Sequence, residues 1–130
     1  MVGIDSNVLI RYLTNDDPKQ AASAQAMLRN CTANNPAYIN LVVLVETIWV
    51  LRRFFDFSRE GILDLLDKLL SLDQVRFQER RSVDEALRIA EKSGCDFPDA
   101  LISVLNLNSG CESTLTFDHK ASSIKGMQAL

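Results

Sequence analysis

One histidine and three cysteines are all that this chain of 130 residues offers as soft metal ligands. Cys31, Cys95 and Cys111 form no CxxC pair, and with only His119 beside them the usual zinc sites lack donors. Their number and scatter make no disulfide set either, so the thiols read as reduced, small apolar residues in a cytoplasmic protein. A large charge of one sign is also missing. The formal net charge is -3, so nothing global marks a surface for nucleic acid or membrane, and a polyanion would need local basic residues or bound cations. Long apolar runs are absent: the longest, Leu41 to Leu51, is interrupted by Glu46 and is far too short to span a bilayer. The N-terminal Met1-Val2-Gly3-Ile4-Asp5 reads as a strand rather than a basic, apolar leader. Without repeats, low-complexity tracts or Gly/Ser linkers, no internal boundary is placed, and residues 1–130 are expected to form a single domain.

What is present is an ordinary globular composition, 47% hydrophobic and 24% charged, in a chain long enough to bury a core and too short to divide comfortably in two. Its periodicity alternates short β-like runs with longer helical ones. Strands are expected at Val2 to Ile4, Ala37 to Ile39, Val75 to Phe77, Thr114 to Thr116 and Met127 to Ala129. Helices are expected after Asp5 and Ser6 through Leu13, from Pro18 toward Cys31, and from Leu41 to Phe54 behind an Asn40 cap. Further helices should run from Ser58 toward Leu70, from Ser82 to Lys92 behind a Ser82-Val83-Asp84-Glu85 capping box, and from Pro98 to about Asn108. The alternation implies an α/β fold with a mostly parallel sheet and right-handed crossovers.

In such sheets ligands bind beyond the carboxyl ends of the strands, which selects the acids to examine. Asp5 follows the first strand, Asp118 follows the strand Thr114 to Thr116 by one Phe, and Glu46 lies on the helix after Ala37 to Ile39. Asp96 and Asp99 open another helix three residues apart, a spacing that shares one helix face. Each has a structural alternative. Asp5, Asp96 and Asp118 are all preferred helix caps. Glu46, the only charge from Leu41 through Leu51, is expected to be paired, hydrogen-bonded or bound to metal, a buried salt bridge being the alternative.

Four acids gathered without a counter-charge repel one another and raise their own pKa values, a penalty that a divalent cation removes. Oxygen-only donors suit Mg²⁺ or Mn²⁺ rather than zinc. Such ions bind phosphate oxygens and activate water, the chemistry of a metal-dependent nuclease.

Ile4-Asp5-Ser6-Asn7-Val8-Leu9-Ile10, Glu46 within Leu44-Val45-Glu46-Thr47-Ile48-Trp49-Val50-Leu51, Asp96-Phe97-Pro98-Asp99-Ala100-Leu101-Ile102 and Leu115-Thr116-Phe117-Asp118 together resemble the PIN domain. The resemblance covers essentially the whole chain in the expected order and looks most like the single-domain toxins of the VapC type. It implies a three-layer α/β/α fold with about five mostly parallel strands, and an endoribonuclease using Mg²⁺ (or Mn²⁺) on an RNA substrate. A homodimer and a cognate antitoxin protein that blocks the acidic groove are implied too. Carried over by position, Asp5, Glu46 and Asp99 are the core catalytic and metal-binding acids and Asp118 the fourth. Asp96 matches an acid at the groove edge, while Asn7 and Thr116 match polar positions that orient carboxylates or water.

After Asp118 the chain departs from that pattern, running His119-Lys120-Ala121-Ser122-Ser123, so a further acid for a second metal is lacking. Lys120 would bring a positive charge beside the scissile phosphate. Arg11, Lys19, Arg52, Arg53 and Lys125 are the other local cations that could guide RNA, and Arg52-Arg53-Phe54-Phe55-Asp56-Phe57 could serve as core, dimer contact or antitoxin groove. Two further classes compete with the nuclease: a catalytically silent PIN-like module that binds RNA or protein, and a phosphoryl-transfer or receiver-like domain. The second lacks its marks, because Asp5-Ser6-Asn7 supplies no second acid and the strand Val75 to Phe77 ends in none.

Overall fold

The computed structural model describes all 130 residues. Its elements run β1 (Val2–Gly3), α1 (Ser6–Leu13), α2 (Pro18–Arg29), β2 (Ala37–Ile39), α3 (Leu41–Phe54), α4 (Arg59–Leu70), β3 (Val75–Phe77), α5 (Arg80–Ser93), α6 (Phe97–Asn108), β4 (Thr114–Thr116), a 3-10 turn (Ala121–Ser123) and β5 (Met127–Ala129). The chain divides into two compact units, Met1–Gln78 and Glu79–Leu130, where the sequence led to the expectation of a domain with no internal boundary.

In the first unit β1, β2 and β3 are parallel neighbours, with Val2 opposite Ala37 and Tyr38 opposite Arg76. Ala37, Ile39, Val75 and Phe77 are buried while Arg76 between them is exposed, the two-residue alternation of a pleated strand. Short polar side chains start each helix: Asn40 accepts from the Val43 amide at 2.8 Å, Ser58 from Gly61 at 3.0 Å, and Asp17, ahead of Pro18, from Gln20 at 3.1 Å. The α4 helix buries Ile62, Leu63, Leu65, Leu66, Leu69 and Leu70, a stripe at helical spacing. Truncating Leu66 or Leu51, both fully buried, to Ala is worth about 2–5 kcal/mol.

The second unit is built on α5 packed against α6, with Val83, Leu87, Phe97, Leu101 and Val104 buried. The parallel pair β4 and β5 sets Thr114 opposite Met127. Gly126, at φ +88°, holds the approach to β5: a Cβ there would lie 2.7 Å from Ser103 Oγ and 2.6 Å from Leu107 Cδ1. The Ser103 hydroxyl donates to the Lys125 carbonyl at 2.7 Å and closes that contact.

The α/β class and the parallel strands are as expected, and all five strand segments form, but they make a three-stranded and a two-stranded sheet rather than one sheet of about five. Strands of two and three residues offer few ladder bonds, and β1, exposed at both residues, ends one position early because Ile4 leads into the Asp5 cap. A second difference lies at α5, which starts at Arg80. Glu79 precedes it in the left-handed region at φ 52° with no side-chain cap. Ser82 cannot cap, because it is buried inside the helix and its hydroxyl accepts from Asn108 Nδ2 at 3.1 Å. In the aromatic turn Phe54 is 65% exposed, while Phe55 and Phe57 are half-buried. All three cysteines are free; Cys95 is buried, Cys31 half-buried and Cys111 exposed. No helix is long and apolar enough to cross a membrane.

Candidate active site

In the first unit Asp5 is the N-cap of α1 and its Oδ1 accepts from the Ser6 amide at 2.8 Å. The Ser6 hydroxyl, 3.5 Å from the same oxygen, donates to Glu46 Oε1 on α3. A single buried serine thus holds two of the expected ligands. The amide bond to Asp5 uses Oδ1, which leaves Oδ2 for another partner. Capping and coordination are therefore compatible at this residue, the cap fixing the carboxylate before any ligand arrives.

Glu46 differs from expectation. It is exposed, because its apolar neighbours Val42, Val45 and Trp49 also face outward. The premise that its charge is buried in an apolar helix therefore fails, and no buried salt bridge is needed. Its partner is the Ser6 hydroxyl. Ser6 was not among the expected site residues; the signal available was a hydroxyl immediately after the capping acid.

In the second unit Asp96 occupies the N-cap position of α6 without making a side-chain cap bond, and Asp99 lies in the first turn. Asp99 is held above the usual carboxylate range, chiefly by burial, then by the charges of Asp118 and Asp96, while Lys120 pulls it back. The sequence pair thus becomes a three-acid neighbourhood with one lysine beside it. Asp118 Oδ1 accepts from the Lys120 amide at 2.9 Å and the Ala121 amide at 3.2 Å, which caps the 3-10 turn and again leaves Oδ2. The Asp118 amide donates to Thr116 Oγ1 at 3.0 Å, so Thr116 positions this acid through the backbone. His119 is exposed, as expected.

Each unit therefore presents acids with one oxygen fixed and one open. No three His, Cys, Asp or Glu side chains stand ready as a metal-binding group. The donor chemistry fits a hard cation nonetheless: every candidate atom is a carboxylate oxygen, and the mutual repulsion at Asp99 is of the kind a cation relieves.

Residues 2–127 match the family model described as the PIN domain. Among curated proteins the chain is similar to a VapC ribonuclease of Aquifex aeolicus (strain VF5), 20% identical over 117 residues that cover 90% of this chain and 87% of that protein. With a family match that runs through every acid described above, this chain belongs to the PIN domain family.

Proposed function

We propose that the chain is a divalent-metal-dependent endoribonuclease, the toxin of a toxin-antitoxin pair acting in the cytoplasm, in which both units work as one PIN domain. Asp5, Glu46, Asp99 and Asp118 would hold Mg²⁺ or Mn²⁺, with Asp96 at the edge and Asn7 and Thr116 in support. The observation that carries this reading is the Ser6 bridge, which brings Asp5 and Glu46 together although Ser6 and Glu46 are 40 positions apart. The similarity to a protein named VapC ribonuclease supports the RNA substrate.

An ion bound by these oxygens supplies charge neutralisation at the phosphate and an activated water for phosphodiester hydrolysis. Magnesium sites commonly use one or two carboxylates and complete their shell with water and substrate phosphate, so acids in pairs are adequate donors. The protein's own part is positional. Ser6 holds the Glu46 carboxylate, Thr116 and the turn amides hold Asp118, and the Lys120 ammonium beside Asp99 can meet a phosphate oxygen.

The test is RNA cleavage in Mg²⁺ or Mn²⁺ by wild type, Asp5→Asn and Asp99→Asn, with circular dichroism to verify folding. Loss of cleavage in both folded variants is expected, and equal cleavage by either would remove the site. The lack of a ready three-group metal cluster favours a second reading, a catalytically silent PIN-like module that binds RNA or protein. Calorimetric titration separates the two, since the silent module would take up no Mn²⁺.

A further inference from the structure

A cleft of about 530 Å³ opens between α1 and α2, wholly within the first unit, and of its lining only Asn7 has a part in the site proposed above. Its size falls in the range of ~300–1,000 Å³ typical of small-molecule sites. Four polar side chains line it, Asn7 and Arg11 from α1 with Gln20 and Ser23 from α2, together with the apolar Val8 and Met27. Arg11 is held in place: its Nε donates to Gln20 Oε1 at 2.8 Å, and its NH1 lies 3.5 Å from Asp16 Oδ1. Because Gln20 spends its oxygen on Arg11, its amide nitrogen is left as a donor. Asn7 follows Asp5 by two positions on the same helix, so the cleft begins beside a candidate catalytic acid.

We propose that this cleft receives one unpaired nucleobase of the RNA substrate next to the bond that is cut; this rests on the ribonuclease reading above. Single-stranded RNA is read by splaying bases out, laying them on apolar or guanidinium planes and bonding their edges. Val8, Met27 and the fixed Arg11 guanidinium provide the planes, and Asn7, Gln20 and Ser23 the edge contacts. The wall is rich in donors, which favours bases that present carbonyl acceptors, guanine or uracil, over adenine. A protein segment fits less well, because an apolar side chain entering here would leave the amides of Asn7 and Gln20 without partners.

The experiment digests a random-sequence RNA pool in Mn²⁺ with wild type, Gln20→Ala and Ser23→Phe, and sequences the ends. Both substituted residues are exposed, so folding is expected to survive. Wild type should favour guanine or uracil at one fixed position by about tenfold or more, the discrimination of one good bidentate contact. Both variants should lose that preference while still cutting the pool. Unchanged preference in both would overturn the proposal and leave the ribonuclease reading intact. Should wild type cut nothing, the ribonuclease reading falls. The cleft is then decided by metal-free NMR titration with the four nucleoside monophosphates: base-selective shifts of the Asn7 and Gln20 side-chain amides uphold it, and their absence, or shifts produced only by a protein partner, overturns it.

Discussion

The Ser6 hydroxyl donates to the Glu46 carboxylate while the Ser6 amide donates to Asp5, so one residue at the start of α1 orients both acids. Replacing Ser6 by Ala keeps the helix start, because the amide bond to Asp5 remains, and releases Glu46. Loss of that bond is worth about 1 kcal/mol of stability. Removing a partner that orients a metal ligand typically weakens metal binding or activity by ~10–100-fold. Calorimetry with Mn²⁺ checks the expectation, and wild-type affinity in Ser6→Ala would show that the bridge has no bearing on the site.

Asp99 carries a pH signature. Its carboxyl sits above the ordinary range through burial, then through Asp118 and Asp96, against Lys120. Between the ordinary and the raised value the folded protein binds more protons at this group than the unfolded chain does, so stability falls as pH rises through that window. The contribution is complete below the ordinary carboxylate value and gone above the folded one. Asp99→Asn is therefore expected to melt higher than wild type at neutral pH, with the gap closing in acid. Adding Mg²⁺ at neutral pH should narrow the gap by stabilising wild type alone. Thermal melts across pH with and without the ion decide it, and a variant less stable than wild type at neutral pH would contradict the electrostatic account.

Much of this was legible in the sequence because it is local. Asn40 and Ser58 mark helix starts through bonds made within three residues and Pro18 through its fixed backbone angle, and the Leu-rich spacing of α4 names its own buried face. What was not legible depends on partners remote in sequence. Ser82 looks like a cap until Asn108, 26 positions on, takes its hydroxyl, and Glu79 shows no sign of its left-handed backbone. The burial expected of Glu46 does not occur, since Val42, Val45 and Trp49, the apolar neighbours that implied it, are themselves exposed. Asp5 and Asp118 could be caps or ligands by sequence alone. The use of only Oδ1 in each removes the conflict between the two readings.

Thr47 is 1% exposed and its hydroxyl has no hydrogen-bond partner. An unpartnered buried hydroxyl costs roughly 1–3 kcal/mol, and valine keeps the shape without the polar group. Thr47→Val is thus expected to raise stability by about 1 kcal/mol, read from the urea midpoint at unchanged slope. A lower midpoint would mean that the hydroxyl is satisfied in solution.

The exposed face of α3 bears on the homodimer that the family resemblance implies. Val42 is 75% exposed and Trp49 59%, and Phe54, 65% exposed, meets Trp49 edge to face at 5.7 Å between ring centres. A second copy laid antiparallel about the midpoint between Trp49 and Val50 would set Glu46 opposite Arg53 and Val45 opposite Phe54. That self-complementarity is what a two-fold interface requires. Trp49→Glu puts a charge at its centre, where an aromatic anchor is worth about 2 kcal/mol or more, a ~30-fold loss in association. Light scattering is expected to find wild type dimeric and the variant monomeric at the same concentration, with equal helical content because Trp49 is exposed in the single chain. A variant as dimeric as wild type would move the interface away from α3.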